Sequence, residues 1–152
     1  MSDSLQITGK IDRLDTGPDR RAYVLDYKYS LAKNVAQKLD DPNLLQAPIY
    51  VMAAERQFGL NPAGMFFVGI KGGIKYAGWS QGSAPGFEQL QARAFPENWL
   101  AQTKERILRA LAEIRGGRVE PRPADTEKCR FCDYGDVCRV AATKPAVAAE
   151  NV

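Results

Sequence analysis

The first thirty residues constrain the chain more than any other stretch. Residues 5–15 (Leu-Gln-Ile-Thr-Gly-Lys-Ile-Asp-Arg-Leu-Asp) alternate as a strand does, and residues 22–30 (Ala-Tyr-Val-Leu-Asp-Tyr-Lys-Tyr-Ser) are rich in aromatic and β-branched types. Between them Thr16-Gly17-Pro18-Asp19-Arg20-Arg21 is turn chemistry, so the two strands should form an antiparallel hairpin. Side chains two apart share a face, so Val24, Asp26 and Lys28 point one way and Leu25, Tyr27 and Tyr29 the other. A turn about Asp19 sets Asp12 opposite Asp26 and Lys10 opposite Lys28, a register that one residue of slip would undo. Two carboxylates then meet in mid-sheet. At roughly 5 Å and an effective dielectric near 20 they repel by about 3 kcal/mol.

A divalent cation between the two acids reverses the sign of that term. Oxygen ligands without histidine suit Mg²⁺ or Mn²⁺, and the chain contains no histidine. Lys28, on the face of Asp26, would reach a phosphate oxygen or an attacking water. Two acids, a cation and a lysine are the apparatus of phosphodiester hydrolysis. The competing reading is a solvated strand face on which Asp12 pairs with Lys28 or Arg13. Gln46 and Tyr50, spaced i, i+4, share one helix face and add a third piece; read alone, they are a surface glutamine and a half-buried tyrosine.

The lack of histidine also excludes Ser-His-Asp and Cys-His catalysis. With 152 residues, 45% of them hydrophobic and 26% charged, the chain has the makings of one globular domain. The net charge of +3 is compatible with nucleic acid without pointing to it. The longest apolar stretch, Ala63 to Ile70, falls far short of a membrane span. The opening Met-Ser-Asp-Ser lacks a signal peptide's regions, so a cytoplasmic location without membrane association is expected.

Beyond the hairpin, Asp41-Pro42 looks like a helix start running to Phe58, with Pro48 imposing a kink or a later start. Residues 63–70 and 74–79 read as strands about Gly72-Gly73, and 81–86 as a loop. An amphipathic helix should run from Pro96 to Gly116, with Leu100, Ile107, Leu111 and Ile114 on one stripe. The order β-β-α-β-β-α predicts an α+β fold, a mixed, mainly antiparallel sheet flanked by helices. Residues 1–139 would form the core with its C-terminal cysteine segment, 128–139, and 140–152 a flexible tail.

Cys129, Cys132 and Cys138 are the chain's three cysteines. An odd number, clustered locally and without a secretory signal, argues for metal ligation over disulfides. Zinc and an iron–sulfur cluster both remain open on spacing alone.

The series Gly9-Lys10-Ile11-Asp12-Arg13, Asp26-Tyr27-Lys28, Gln46-x-x-x-Tyr50 and Cys129-x-x-Cys132-x5-Cys138 resembles the RecB-type (RecB/AddB-like) nucleases of the PD-(D/E)xK superfamily. The likeness runs from about Thr8 to Arg139. It implies a restriction-endonuclease-like fold and a metal-dependent deoxyribonuclease, an exonuclease on single strands or ends in recombination or repair. Asp12, Asp26 and the main-chain carbonyl of Tyr27 would be metal ligands. Lys28 would orient or activate water, and Gln46 and Tyr50 would contact DNA or position Lys28. DNA is the implied partner, with a helicase domain or subunit of a larger complex. Family members usually carry an upstream helix with a further metal ligand, and their [4Fe–4S] cluster takes a fourth, upstream cysteine. Neither is present, so the chain reads as the C-terminal nuclease portion of a longer protein, with an absent or incomplete cluster. The rival reading is a noncatalytic, cysteine-clamped DNA-binding or docking module, inactive on its own.

Overall fold

The turn at residues 17–21 positions everything that follows. Pro18–Arg20 form a single 3₁₀ turn in which Asp19 and Arg20 both take positive φ, a conformation Asp tolerates better than most residues. Asn61 donates to the Asp19 carbonyl at 2.9 Å and Arg20 to the Phe58 carbonyl at 3.2 Å, which hold the turn in place. Out of it run β1 (Arg13–Thr16) and β2 (Arg21–Lys28), antiparallel, with Arg13 opposite Leu25 and Thr16 opposite Ala22. This is the register anticipated from the turn. In this computed structural model, residues 5–82, 92–123 and 125–138 are described.

The strand expected over 5–15 is shorter, because its ladder begins only at Arg13. The Asp12 side chain accepts the Tyr27 N–H at 2.9 Å. That donor is the one a continuing ladder would offer to the backbone of Ile11, so pairing stops there.

β2 leads through α1 (Ala32–Gln37) and α2 (Gln46–Arg56) to β3 (Asn61–Gly69), which lies parallel to it. β4 (Lys75–Ser80) returns antiparallel, giving the sheet order β1-β2-β3-β4. Two points differ from the expected layout. α1 was not anticipated, since six residues are too few to display a helical period. The helix expected from Asp41 starts at Gln46, because the Asp41 carboxylate accepts from Asn43 N–H in a local turn instead. Pro48 thereby falls in the first turn of α2, where a missing N–H leaves no bond unmade.

α2 turns Ala47, Val51 and Ala54 onto one face of the sheet, where they pack with Val24, Met65, Phe67 and Trp79. The opposite face carries Tyr23, Leu25, Ala63, Phe66 and Val68. β4 approaches β3 closely at Gly78, where an added Cβ would stand 2.0 Å from the Met65 carbonyl oxygen.

The chain divides into two compact units, Met1–Ile107 and Leu108–Val152. α3 (Trp99–Arg115) begins in the first unit, with Trp99 stacked on Trp79 at 4.7 Å between ring centres. It is a little shorter than the Pro96–Gly116 reading. On its expected stripe Leu100, Ile107 and Leu111 are half-buried, whereas Ile114 is 59% exposed. In the second unit Glu113 meets Arg118 and Arg122, followed by a 3₁₀ segment (Thr126–Phe131) and α4 (Gly135–Cys138). The expected tail, 140–152, and the loop beyond Gly82 up to residue 91 lie outside the described residues. No described helix is long and apolar enough to cross a membrane.

Gly78→Ala should destabilise the fold by about 1–3 kcal/mol, as overpacking against backbone does, measured by urea unfolding. Gly17→Ala, whose added Cβ meets nothing within 4 Å, should change stability little.

Candidate active site

Asp26 and Lys28 extend the face of β2 that Val24 gives to the core, so they run beneath the start of α2. This placement leaves Asp26 only 2% exposed. Burying a carboxylate is costly unless charge and hydrogen bonds compensate. Both are supplied. Lys28 Nζ stands 2.6 Å from Asp26 Oδ2; the contact is a close ion pair without the angles of a hydrogen bond, since Oδ2 has no aligned donor.

Gln46, the first residue of α2, joins the two charged groups. Its Oε1 accepts from Lys28 Nζ at 2.9 Å while its Nε2 donates to Asp26 Oδ1 at 3.0 Å. Only one orientation of the amide serves an ammonium and a carboxylate at once, so its two neighbours dictate the orientation. Nε2 also donates to the Tyr50 hydroxyl at 3.1 Å, one helical turn on, and that hydroxyl donates to the Lys10 carbonyl at 2.7 Å. The network thus ties α2 to β2 and to the segment entering β1.

Asp12 is exposed and lies just outside the β1–β2 ladder, where the register makes it the cross-strand neighbour of Asp26. Its carboxylate, held by the Tyr27 N–H, sits at the residue next to Asp26. It pairs with neither Lys28 nor Arg13. Lys28 belongs to Asp26, and Arg13 forks onto Asp15 at 2.7 and 2.8 Å while reaching the Tyr27 hydroxyl at 3.4 Å. The hydrogen bonds that Arg13 donates to Asp15, then the one to Tyr27, raise its pKa further, so its charge is permanent.

The structure therefore gathers Asp26, Lys28, Gln46 and Tyr50 into one bonded set and places Asp12 and Tyr27 beside it. Phe67, on the same face of β3, lies 5.7 Å beneath Lys28 Nζ and was not singled out by the sequence reading. Alternation along β3 is the signal that marks it. Ile7, Gly9, Lys10, Gln46, Tyr50 and Phe58 are among the residues lining a cavity of about 640 Å³ beside the network.

The donor set fits a hard divalent cation. Asp26 keeps a buried oxygen without an aligned donor, Asp12 contributes a second carboxylate, and Tyr27, the residue after Asp26, offers a main-chain carbonyl. No group of three or more His, Cys, Asp or Glu among the described residues is placed to hold a metal. The site would therefore depend on main-chain and solvent oxygens. Cys129, Cys132 and Cys138 are free thiols, half-buried, exposed and half-buried respectively.

The family model for the PD-(D/E)XK nuclease superfamily matches residues 2–139. The chain belongs to this superfamily. No curated protein and no solved structure matches it. PD-(D/E)XK proteins are generally hydrolytic nucleases that use divalent metal ions, and the mixed four-stranded sheet with its helices agrees with their α+β, restriction-endonuclease-like fold.

Lys28→Ala leaves Asp26 buried with Gln46 as its remaining partner. It should destabilise the protein by about 1–3 kcal/mol, and Mn²⁺ should restore part of the loss in a urea unfolding series. Lys28→Ala combined with Asp26→Asn should recover stability without metal.

Proposed function

We propose that this chain is a metal-dependent DNA nuclease domain of RecB type, hydrolysing phosphodiester bonds at the Asp26–Lys28 site. The observation that carries this reading is the Gln46 amide held between the Asp26 carboxylate and the Lys28 ammonium. A buried acid with a lysine ion-paired to it serves little purpose in a merely structural sheet, where apolar residues pack as well or better.

Asp12, Asp26 and the Tyr27 carbonyl would hold Mg²⁺ or Mn²⁺, which supplies Lewis-acid neutralisation of phosphate charge and a lowered water pKa. Lys28, steered by Gln46 and seated over Phe67, supplies positive charge to the phosphate oxygens as negative charge builds on them. Tyr50 fixes Gln46 and borders the cavity in which DNA would lie. Water adds to phosphorus, the ester P–O bond breaks, and the water's proton passes to the departing oxygen. An exonuclease working on single strands or ends in recombination or repair suits a cytoplasmic protein of this type. The sequence has no Gly-x-x-x-x-Gly-Lys-Ser/Thr motor motif, so a helicase partner would be a separate domain or subunit. The Cys-x-x-Cys-x5-Cys segment supports the RecB-type assignment by pattern, with a fourth thiolate required for a [4Fe–4S] cluster. Hydrolysis as described uses none of its thiols.

With a labelled oligonucleotide, Mg²⁺ or Mn²⁺ should elicit cleavage and EDTA should abolish it. Asp26→Ala and Lys28→Ala should each lower kcat by about 100-fold or more. Equal cleavage by all three proteins would refute the assigned site, and DNA affinity without metal-dependent cleavage would favour a noncatalytic binding module.

A further inference from the structure

The strand that carries Lys28 ends abruptly in a turn whose central residue is an exposed aromatic. Ser30 N–H donates to the Lys28 carbonyl at 2.7 Å, a three-residue turn centred on Tyr29. The same carbonyl accepts from Ile70 N–H at 3.1 Å, and Lys71 N–H donates to the Ser30 carbonyl at 3.3 Å. The end of β2 is thus fastened to the segment leaving β3. Gly69 makes this close approach feasible, because an added Cβ would lie 3.0 Å from the Ser30 carbonyl oxygen and 2.7 Å from Val35 Cγ2.

Tyr29 is 78% exposed on this braced turn. Lys71 Nζ lies over its ring, 5.7 Å from the centroid, and no carboxylate among the described residues pairs with that ammonium. The ring contributes little to the core, so packing does not account for it. Its backbone follows Lys28 directly, with Cα atoms about 3.8 Å apart.

We propose that Tyr29 and Lys71 form a stacking platform for an unpaired nucleotide at the end of β2, on the turn that follows Lys28. The proposal rests on the nuclease reading and deepens it. The tyrosine ring supplies a π-face for a base and Lys71 a cation for the neighbouring backbone phosphate, the combination used by single-strand binders. A base inside a duplex has both faces covered by its neighbours, so only an unpaired base can lie flat on the ring. Sequence tolerance follows, because every base offers a π-face.

The test measures the affinity of the full chain for a fluorescein-labelled oligothymidylate and for a hairpin duplex closed by a non-nucleotide linker, in EDTA. Cleavage of the oligothymidylate is followed in parallel in Mg²⁺. Tyr29→Ala should weaken oligothymidylate binding roughly 5- to 150-fold. Tyr29→Phe and Tyr29→Trp should retain it, and the hairpin affinity should not change. Lys71→Ala should reduce the slope of log Kd against log salt by about 0.7 for the single strand. Unchanged single-strand affinity in Tyr29→Ala, or an equal loss on the hairpin, overturns the platform. If the wild type still cleaves in Mg²⁺ at that point, the nuclease reading survives it. A wild type that binds neither DNA and cleaves nothing overturns both. One that shows the Tyr29-dependent affinity without cleavage upholds the platform and overturns the nuclease chemistry.

Discussion

The burial of the Asp26 carboxylate under the first turn of α2 is the constraint on which the rest of the site depends. A carboxylate at 2% exposure would be untenable alone, and its environment is arranged around it. Lys28 cancels its charge, and Gln46 bonds to both. Tyr50 bonds to Gln46 and then to the backbone of Lys10. Each link restricts the next, so the acid, the lysine and the amide are held in place before any ligand arrives. Preorganised charge of this sort is what lowers a barrier to phosphoryl chemistry.

The fold supplies that arrangement economically. The tight turn at Asp19 and Arg20 sets the β1–β2 register and so brings Asp12 level with Asp26. The parallel return of β3 places Phe67 under Lys28, and the crossover between the two strands delivers α2 with Gln46 at its tip. Three separate stretches of sequence therefore converge at the end of one strand. Membership of the PD-(D/E)XK superfamily agrees with this architecture and with hydrolytic chemistry on nucleic acid.

Much of this was legible in the sequence where short-range chemistry decides the outcome. The hairpin register followed from Gly17-Pro18-Asp19, and the two faces of β2 from strict alternation. The departures came where a side chain competed with backbone. Asp12 takes the Tyr27 N–H and cuts the first strand to four residues, and Asp41 takes the Asn43 N–H and delays α2. α1 is too short to leave a periodic signature. At the site, spacing put Gln46 and Tyr50 on one helix face. The bridging of Asp26 and Lys28 by a single amide depends on how α2 crosses the sheet, which no local pattern encodes.

Hydrolysis at this site requires a hard cation at the buried acid. Anomalous diffraction from crystals grown with Mn²⁺ tests this most directly. The predicted result is a single strong peak bound by oxygens of Asp26 and Asp12, with Lys28 turned away from Asp26. Protein that excludes Mn²⁺ from this position, with the Asp26–Lys28 pair intact and metal bound elsewhere or nowhere, would contradict it.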